Sequence, residues 1–439
     1  MENGKNGSKN RKQVPRRPSN AFTREFRFFV CSPAGTWDPG IPIAASRAGE
    51  IGLLDLTHLD DTSRADWAID RLNRLSSGGK GLVVHARSGK VERAAHASVT
   101  KPEVVLLVPD PGADLVETLR MWKAVAREVG VVVTRLEEFE WARHPEVDFV
   151  VAKGHEAGGN VGEETTFVLL QRLLDVQLQK PVYAWGGIGS HTAAACRIAG
   201  AAGVVLDWQL SLMRESLLPA AMRRRITRMD GSETAVVPGP NGRQLRLYDQ
   251  PGMSAKEHLE LAVDNAVDNP RKSSVDGHGT TSWDKTINAL MAVPDVEDRL
   301  WPIGQDACWA STWVEQMPTV GRALAKLRDD VDRVVKQCLD NQSLARGGPL
   351  ARSHGTEFPL VQGPMTRVSD VPEFCEAVAH GGGLPFLALA LMRGEEARSV
   401  LTRTRDLMGD RPWGVGMLGF LPLELREEQF AVIEDIRPP

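Results

Sequence analysis

The 439-residue chain has no apolar run near the roughly 20 residues that a membrane-spanning helix needs, so no membrane partner is expected. Its first twenty residues, MENGKNGSKNRKQVPRRPSN, surround no apolar segment and are not a secretory signal. Residues 1–22 are expected to form a disordered, basic N-terminal tail, with contact to a polyanion as the alternative. Aromatic residues make up only 6% of the chain, too few for base-stacking platforms, and the net charge of −4 gives no global attraction to nucleic acid. Cysteine is also scarce. Cys31, Cys196, Cys308, Cys338 and Cys375 are odd in number and never spaced as CxxC. That excludes a disulfide framework and a structural zinc site, and it fits a reducing, cytoplasmic setting.

What is present is an ample core: 42% hydrophobic residues with 25% charged, over a length that suggests about two to three domains. Apolar runs recur at 26–32, 51–56, 81–86, 104–109, 131–136, 147–152, 182–185 and 203–207. They are continuous rather than alternating, as in strands covered on both faces. Helical patterns lie between several of them, for example at 64–75 and 113–129, and the helix after the fifth strand must be short. Eight such units predict an α/β fold, a (β/α)8 TIM barrel over residues 23–215. The rival is an open doubly wound sheet.

Residues 216–345 read as a helical and irregular extension with a linker. The pattern predicts a basic helix over 211–230, irregular chain over 231–285, helices over 282–293 and 319–340, and a Gly- and Pro-punctuated linker at 341–358. From 356 to 439 a new α/β pattern begins, with strands at 358–365, 384–391 and 413–421 and helices at 369–383 and 394–410. Three strands cannot close a barrel, so this is expected to be the start of a second TIM barrel in a longer polypeptide. A small C-terminal lobe is the alternative.

In such barrels the working groups sit in the loops at the carboxyl ends of the strands. The sixth run leads into Lys153-Gly154-His155-Glu156-Ala157-Gly158-Gly159-Asn160, and the seventh ends in Trp185-Gly186-Gly187-Ile188-Gly189-Ser190 before a helix. Glycines let backbone N–H groups approach a ligand, and a helix N-terminus offers orphan donors to a phosphate.

The motifs AKGHEAGGNVG (152–162), PVYAWGGIG (181–189) and AGAAGVVLDWQ (199–209) resemble the nitronate monooxygenase family. These are FMN-dependent barrels that include the enoyl reductase components of polyketide and polyunsaturated fatty acid synthases. FPLVQGPMTRVSD and AVAHGGGLPFLAL resemble the family's first strand, loop and helix, and WPIGQDACWA (301–310) resembles a linker between tandem barrels. The resemblance implies FMN as cofactor, a small-molecule or carrier-bound acyl substrate, and other synthase domains as partners.

Position by position, Gly158, Gly159, Gly186 and Gly187 match flavin-holding glycines, and Lys153 stands where the family often has Gln. Gln362, Gly363, Pro364 and Met365 match the turn beside the flavin. Three positions depart. Asn160 replaces the catalytic histidine, and an amide has no usable pKa for proton transfer. Asp207 stands where a Gly-Thr or Gly-Ser would donate to the phosphate, and a carboxylate there repels it. Cys31-Ser32-Pro33 replaces the first turn. His155 is the candidate substitute acid/base, or a structural loop histidine. Lys153 either neutralises phosphate or Asp207, or pairs with Glu156. Asp55 and His85 face the ligand end or belong to the core. Glu163 and Glu164 are expected in the first turn of a helix, and Arg223, Arg224 and Arg225 on a solvated helix face or in a pocket for phosphopantetheine or a CoA moiety. The two functions left open are a flavin-dependent oxidoreductase and a degenerate barrel kept as a scaffold or docking unit.

Overall fold

A computed structural model describes residues 25–87, 89–110, 113–176, 178–268 and 282–439; the expected tail at 1–22 lies outside them. The eight apolar runs become eight parallel strands: β1 (Arg27–Cys31), β2 (Ile51–Asp55), β3 (Lys80–His85), β4 (Val104–Val108), β5 (Glu128–Val133), β6 (Phe149–Lys153), β8 (Val182–Trp185) and β9 (Gly203–Leu206). Phe29 is in register with Ile51 on one side and Val205 on the other, which closes the barrel. The sequence-level choice of a closed barrel over an open sheet is correct.

The connections are α1 (Gly40–Arg47), α2 (Thr62–Leu75), α3 (Lys90–Ser98), α4 (Leu115–Lys123), α5 (Phe139–Arg143), α6 (Thr166–Asp175) and α7 (Ser190–Ala199). The helix after the fifth strand is short, as the spacing required. The fifth strand itself begins three residues earlier than expected. The helical pattern read through to 129 stops at Lys123, and Glu128 already bonds Glu103 and pairs with Arg27 at 2.9 Å. Glu163 and Glu164 precede α6 rather than opening it; Thr165 caps that helix through Val168 N.

Side chains alternate along a strand. Phe29, Leu53, Val83, Leu106, Val132, Val151, Tyr183 and Val205 share the barrel interior. Phe29 and Tyr183 stack at 4.4 Å, with Phe149 edge-on to both. Gly130 makes room for that ring: a Cβ on it would lie 2.2 Å from Phe149. Gly130→Ala is expected to cost about 1–3 kcal/mol by overpacking, measured by urea unfolding.

The extension departs more from expectation. Between 211 and 230 only α8 (Ala220–Ile226) is helical, because Pro219 sets its start. The stretch read as irregular holds an antiparallel hairpin, β10 (Thr234–Pro238) and β11 (Gln244–Tyr248), and α9 (Ala255–Asp268). A short strand β7 (Gly159–Val161), formed by the loop after β6, pairs with β11 and places Asn160 opposite Leu245. Then follow α10 (Ser282–Met291), α11 (Ala310–Gln316) and α12 (Val320–Asn341). Val320, Ala323, Leu324, Leu327, Val331 and Val335 form the buried stripe that packs α12 on the barrel core.

The chain divides into two compact units, Met1–Val335 and Lys336–Pro439. In the second unit, α13 (Pro349–Ser353) precedes three parallel strands, β12 (Val361–Gln362), β13 (Leu384–Ala388) and β14 (Gly414–Gly416). The helices α14 (Pro372–His380), α15 (Gly394–Met408) and α16 (Leu423–Ile436) accompany them around a core that includes Cys375, Leu387, Leu401 and Trp413. No helix among the described residues is long and apolar enough to cross a membrane.

Candidate functional site

Two residues beyond each inward-facing core position, at the end of its strand or one residue past it, the same parity places Cys31, Asp55, His85, Val108, Thr134, Lys153, Trp185 and Asp207 in a ring at the carboxyl end of the barrel. The ring is sparing with solvent: Cys31, Asp55, His85, Lys153 and Asp207 are all buried. Burial pushes the Cys31 thiol well up, so it is no ready thiolate. Ser32 Oγ accepts from Asp55 N at 2.8 Å and ties the first two loops together.

Asp207 does not face an open phosphate site. Its Oδ2 accepts from Trp185 Nε1 at 2.9 Å and its Oδ1 from Trp208 N at 2.6 Å. Burial raises its pKa against those bonds. Lys153 forms neither of the ion pairs considered from sequence. Its Nζ stands 4.5 Å from the centroid of the Trp185 ring, while Asp55 and Asp207 act on it through space.

His155 is held in its loop by three hydrogen bonds. Its Nδ1 lies 2.9 Å from Gly162 O, its N–H donates to Glu164 O, and its own carbonyl accepts from Arg246 Nε at 2.7 Å. Asn160 lines a cavity of about 390 Å³ with Asp110, Thr134, Trp141, Arg243 and Gln244, beside the ends of β4 and β5. Its amide brings no proton-transfer group there.

The two glycine-rich loops lie against each other, and a Cβ on Gly186 would meet Ala157 N at 2.9 Å. Gly159, Gly186 and Gly187 all have positive φ, which explains glycine at these positions. What lies against the loops is the chain itself. A Cβ on Gly158 would meet Pro302 O at 2.2 Å and Gly304 N at 2.7 Å, and one on Gly189 would touch the Trp309 ring at 3.5 Å. Gln305 N donates to Glu156 O, and Trp208 Nε1 donates to Pro302 O, each at 2.9 Å. Gln209 Nε2 bridges Ile188 O and Asp306 Oδ2. Burial drives the Asp306 pKa well above the carboxylate range, and Asp207 adds to the rise, while the Gly187 amide opposes it. Residues 301–310, expected as an inter-barrel linker, are therefore a lid of backbone and side chains on the strand ends. The phosphate of FMN does not fit this arrangement. Gly158 and Gly189 are covered, and the Gly187 amide faces a buried carboxyl whose neighbours, Asp207 and Glu156, are also acidic.

Sequence reading missed His58, Arg87, Asp110 and Arg243, which form a buried ionic group near the β2–β4 ends with His85 and Asp284. Arg87 contacts Glu92 at 3.1 Å and Asp110 at 3.3 Å, and His85 Nδ1 lies 3.4 Å from Asp110. Burial lowers the His58 pKa to about 3 and that of His85 well below its usual range, and it raises Asp110 to about 7. The neutral histidines withdraw stability as pH falls below about 6.5, where the unfolded chain takes up protons. Asp110, protonated in the fold, contributes stability at low pH that is lost as pH rises from about 4 to 7. The two effects oppose each other near pH 5–6.5. Asp110→Asn removes the offset, so its stability is expected to fall by about 2 kcal/mol more than wild type between pH 7 and 5, read from urea unfolding at both.

Gln362, Gly363, Pro364 and Met365 belong to the second unit. There Gln362 Oε1 accepts from Phe386 N at 3.1 Å, Met365 N donates to Ser369 Oγ at 2.8 Å, and Pro364 packs where Gly416 lacks a Cβ. In the first unit, Arg223 Nη2 donates to Leu212 O at 2.6 Å, while Arg224 is exposed. No group of three or more His, Cys, Asp or Glu among the described residues could hold a metal ion.

Known proteins place this geometry. Rv1533 of Mycobacterium tuberculosis, named as a monooxygenase, is 34% identical over 186 residues, 36% of this chain and 49% of the relative. The chain thus spans about half the length of that curated relative. FabK from Thermotoga maritima superposes with a TM-score of 0.57 at 20% identity over 75% of this chain and 99% of its own. Nitroalkane oxidase from Streptomyces ansochromogenes does so at 0.52 with 21% identity over 73% and 99%. The enoyl reductase domain of MlnA from Bacillus amyloliquefaciens gives 0.55 at 11% identity over 73% and 98%. At these identities the structures establish the fold. Residues 58–305, more than half of the chain, match the family model for nitronate monooxygenase, and the chain belongs to that family of flavin-dependent oxidoreductases.

Proposed function

We propose that the first unit keeps the family's barrel without its FMN-dependent proton transfer, and serves as a scaffold or docking unit. The observation that supports this most is the seating of residues 302–309 on Gly158, Gly187 and Gly189. Asn160 in the acid/base position agrees with it. The second reading is an FMN-dependent oxidoreductase acting on a small or carrier-bound acyl substrate, within a cytoplasmic multidomain polyketide or fatty acid synthase. Family membership favours that reading, as does the positive φ of Gly186 and Gly187.

Turnover separates the two. The purified full chain is assayed with FMN, reduced nicotinamide and either an enoyl thioester or a nitroalkane. No rate above that of free FMN is expected, and Asn160→His alone should restore none. An FMN-dependent rate that Asn160→Ala abolishes would establish the second reading instead.

A further inference from the structure

Three tryptophans and two arginines outside the strand-end ring meet around another cavity, of about 140 Å³. Its wall includes Trp37 of the loop after β1, Arg64 and Trp67 of α2, Leu217 ahead of α8, and Arg299 and Trp301. Both guanidiniums lie over indole rings. Arg64 Cζ stands 4.6 Å from the Trp37 centroid, and Arg299 Cζ stands 4.4 Å from that of Trp301 and 5.9 Å from that of Trp37. Stacking of this kind orients a guanidinium while its edge keeps its donors for a ligand. Trp37 is buried at a φ of 51°, a left-handed conformation that a bulky residue rarely takes. Such conformations persist where the surrounding contacts impose them, and they cluster at ligand sites.

The two cations lack an anion. Among the described residues neither Arg64 nor Arg299 forms an ion pair, and Arg299 Nη2 donates only a long bond, 3.4 Å, to Gly35 O. The carboxylate in the wall, Asp38, is already engaged by the backbone: it accepts from Gly40 N at 2.8 Å and Leu217 N at 2.6 Å. Burial, and then the charge of Arg64, lowers the Arg299 pKa, so the arginines repel each other here. A bound oxyanion relieves that repulsion, and a carboxylate matches the guanidinium fork. Much of the remaining wall is indole, leucine and proline, which suits an apolar body better than a hydrated multivalent anion. The volume holds roughly five water-sized groups, so the body must be short.

We propose that this cavity binds a small carboxylate with a short apolar body, its oxygens on Arg64 and Arg299 and its carbons against Leu217, Pro219 and Trp67. The site uses none of the covered phosphate loops. It goes beyond the scaffold reading and holds whether or not flavin binds.

Titration of the full chain with butyrate tests it, in low-salt buffer at pH 7 and followed by saturation-transfer NMR. Saturable binding is expected. Butanol and butylammonium keep the body but remove or invert the charge, and should bind at least about tenfold more weakly, as should butyrate to Arg64→Gln or Arg299→Gln, the loss of one charge-assisted hydrogen bond. Arg64 is exposed, so its variant should keep the wild-type melting temperature even if Arg299→Gln does not. Arg224→Gln, on α8, should leave binding unchanged. Absence of saturable butyrate binding, butyrate binding unaffected by Arg64→Gln, or inorganic phosphate binding as tightly as butyrate would each overturn the proposal.

Discussion

Trp208→Ala is expected to destabilise the first unit by about 3–5 kcal/mol and to loosen residues 301–310 from the strand ends. Trp208 is fully buried in a cluster with Met222, Trp301, Ile303 and Ala307. Its indole N–H holds Pro302 O, so truncation removes both the packing of a large ring and the anchor of the lid. Thermal unfolding reads the first effect. Hydrogen exchange at Gln305, whose amide bonds Glu156 O, reads the second and should accelerate. A variant that loses stability while Gln305 keeps its protection would show that the lid is held by other contacts.

Gly158→Ala is the second large effect, and it distinguishes two uses of one glycine. If Gly158 served only to admit a cofactor, a methyl group there would leave the free protein untouched. Here the methyl would meet Pro302 O, Gly304 N and Ile303 C within 3 Å, all backbone atoms that cannot rotate away. A loss of about 1–3 kcal/mol is expected without any ligand present. Equal stability of variant and wild type in urea would return Gly158 to a cofactor role.

The barrel was legible because continuous apolar runs report strands buried on both faces. Asp55, His85 and Lys153 were legible as strand-end residues because the apolar runs mark where each strand stops; that their side chains share one ring needed the closed barrel. The departure at Asn160 needed no structure, since an amide cannot carry a proton wherever it sits. The hairpin of β10 and β11 was hidden by its Gly, Pro and Arg content. Its edge pairing with Gly159–Val161 joins segments about eighty residues apart, which local pattern cannot reveal. The lid was missed for a similar reason. WPIGQDACWA has no periodicity, and its burial follows from the long-range bonds of Trp208, Gln209 and Glu156. Asp207 was legible as a strand-end carboxylate unsuited to a phosphate, but its partners were not: the Trp185 indole N–H and the Trp208 amide take up its oxygens. His58 had no sequence signal at all, because it lies in a turn outside the strand parity.

Phosphorus-31 NMR of FMN titrated with the full chain tests the closed phosphate site most directly. The FMN resonance is expected to remain sharp and unshifted at equimolar protein, because residues 302–309 and the Asp306 carboxyl cover the loop donors. A shifted, broadened resonance that saturates at one equivalent, and is lost with Gly187→Val, would contradict it.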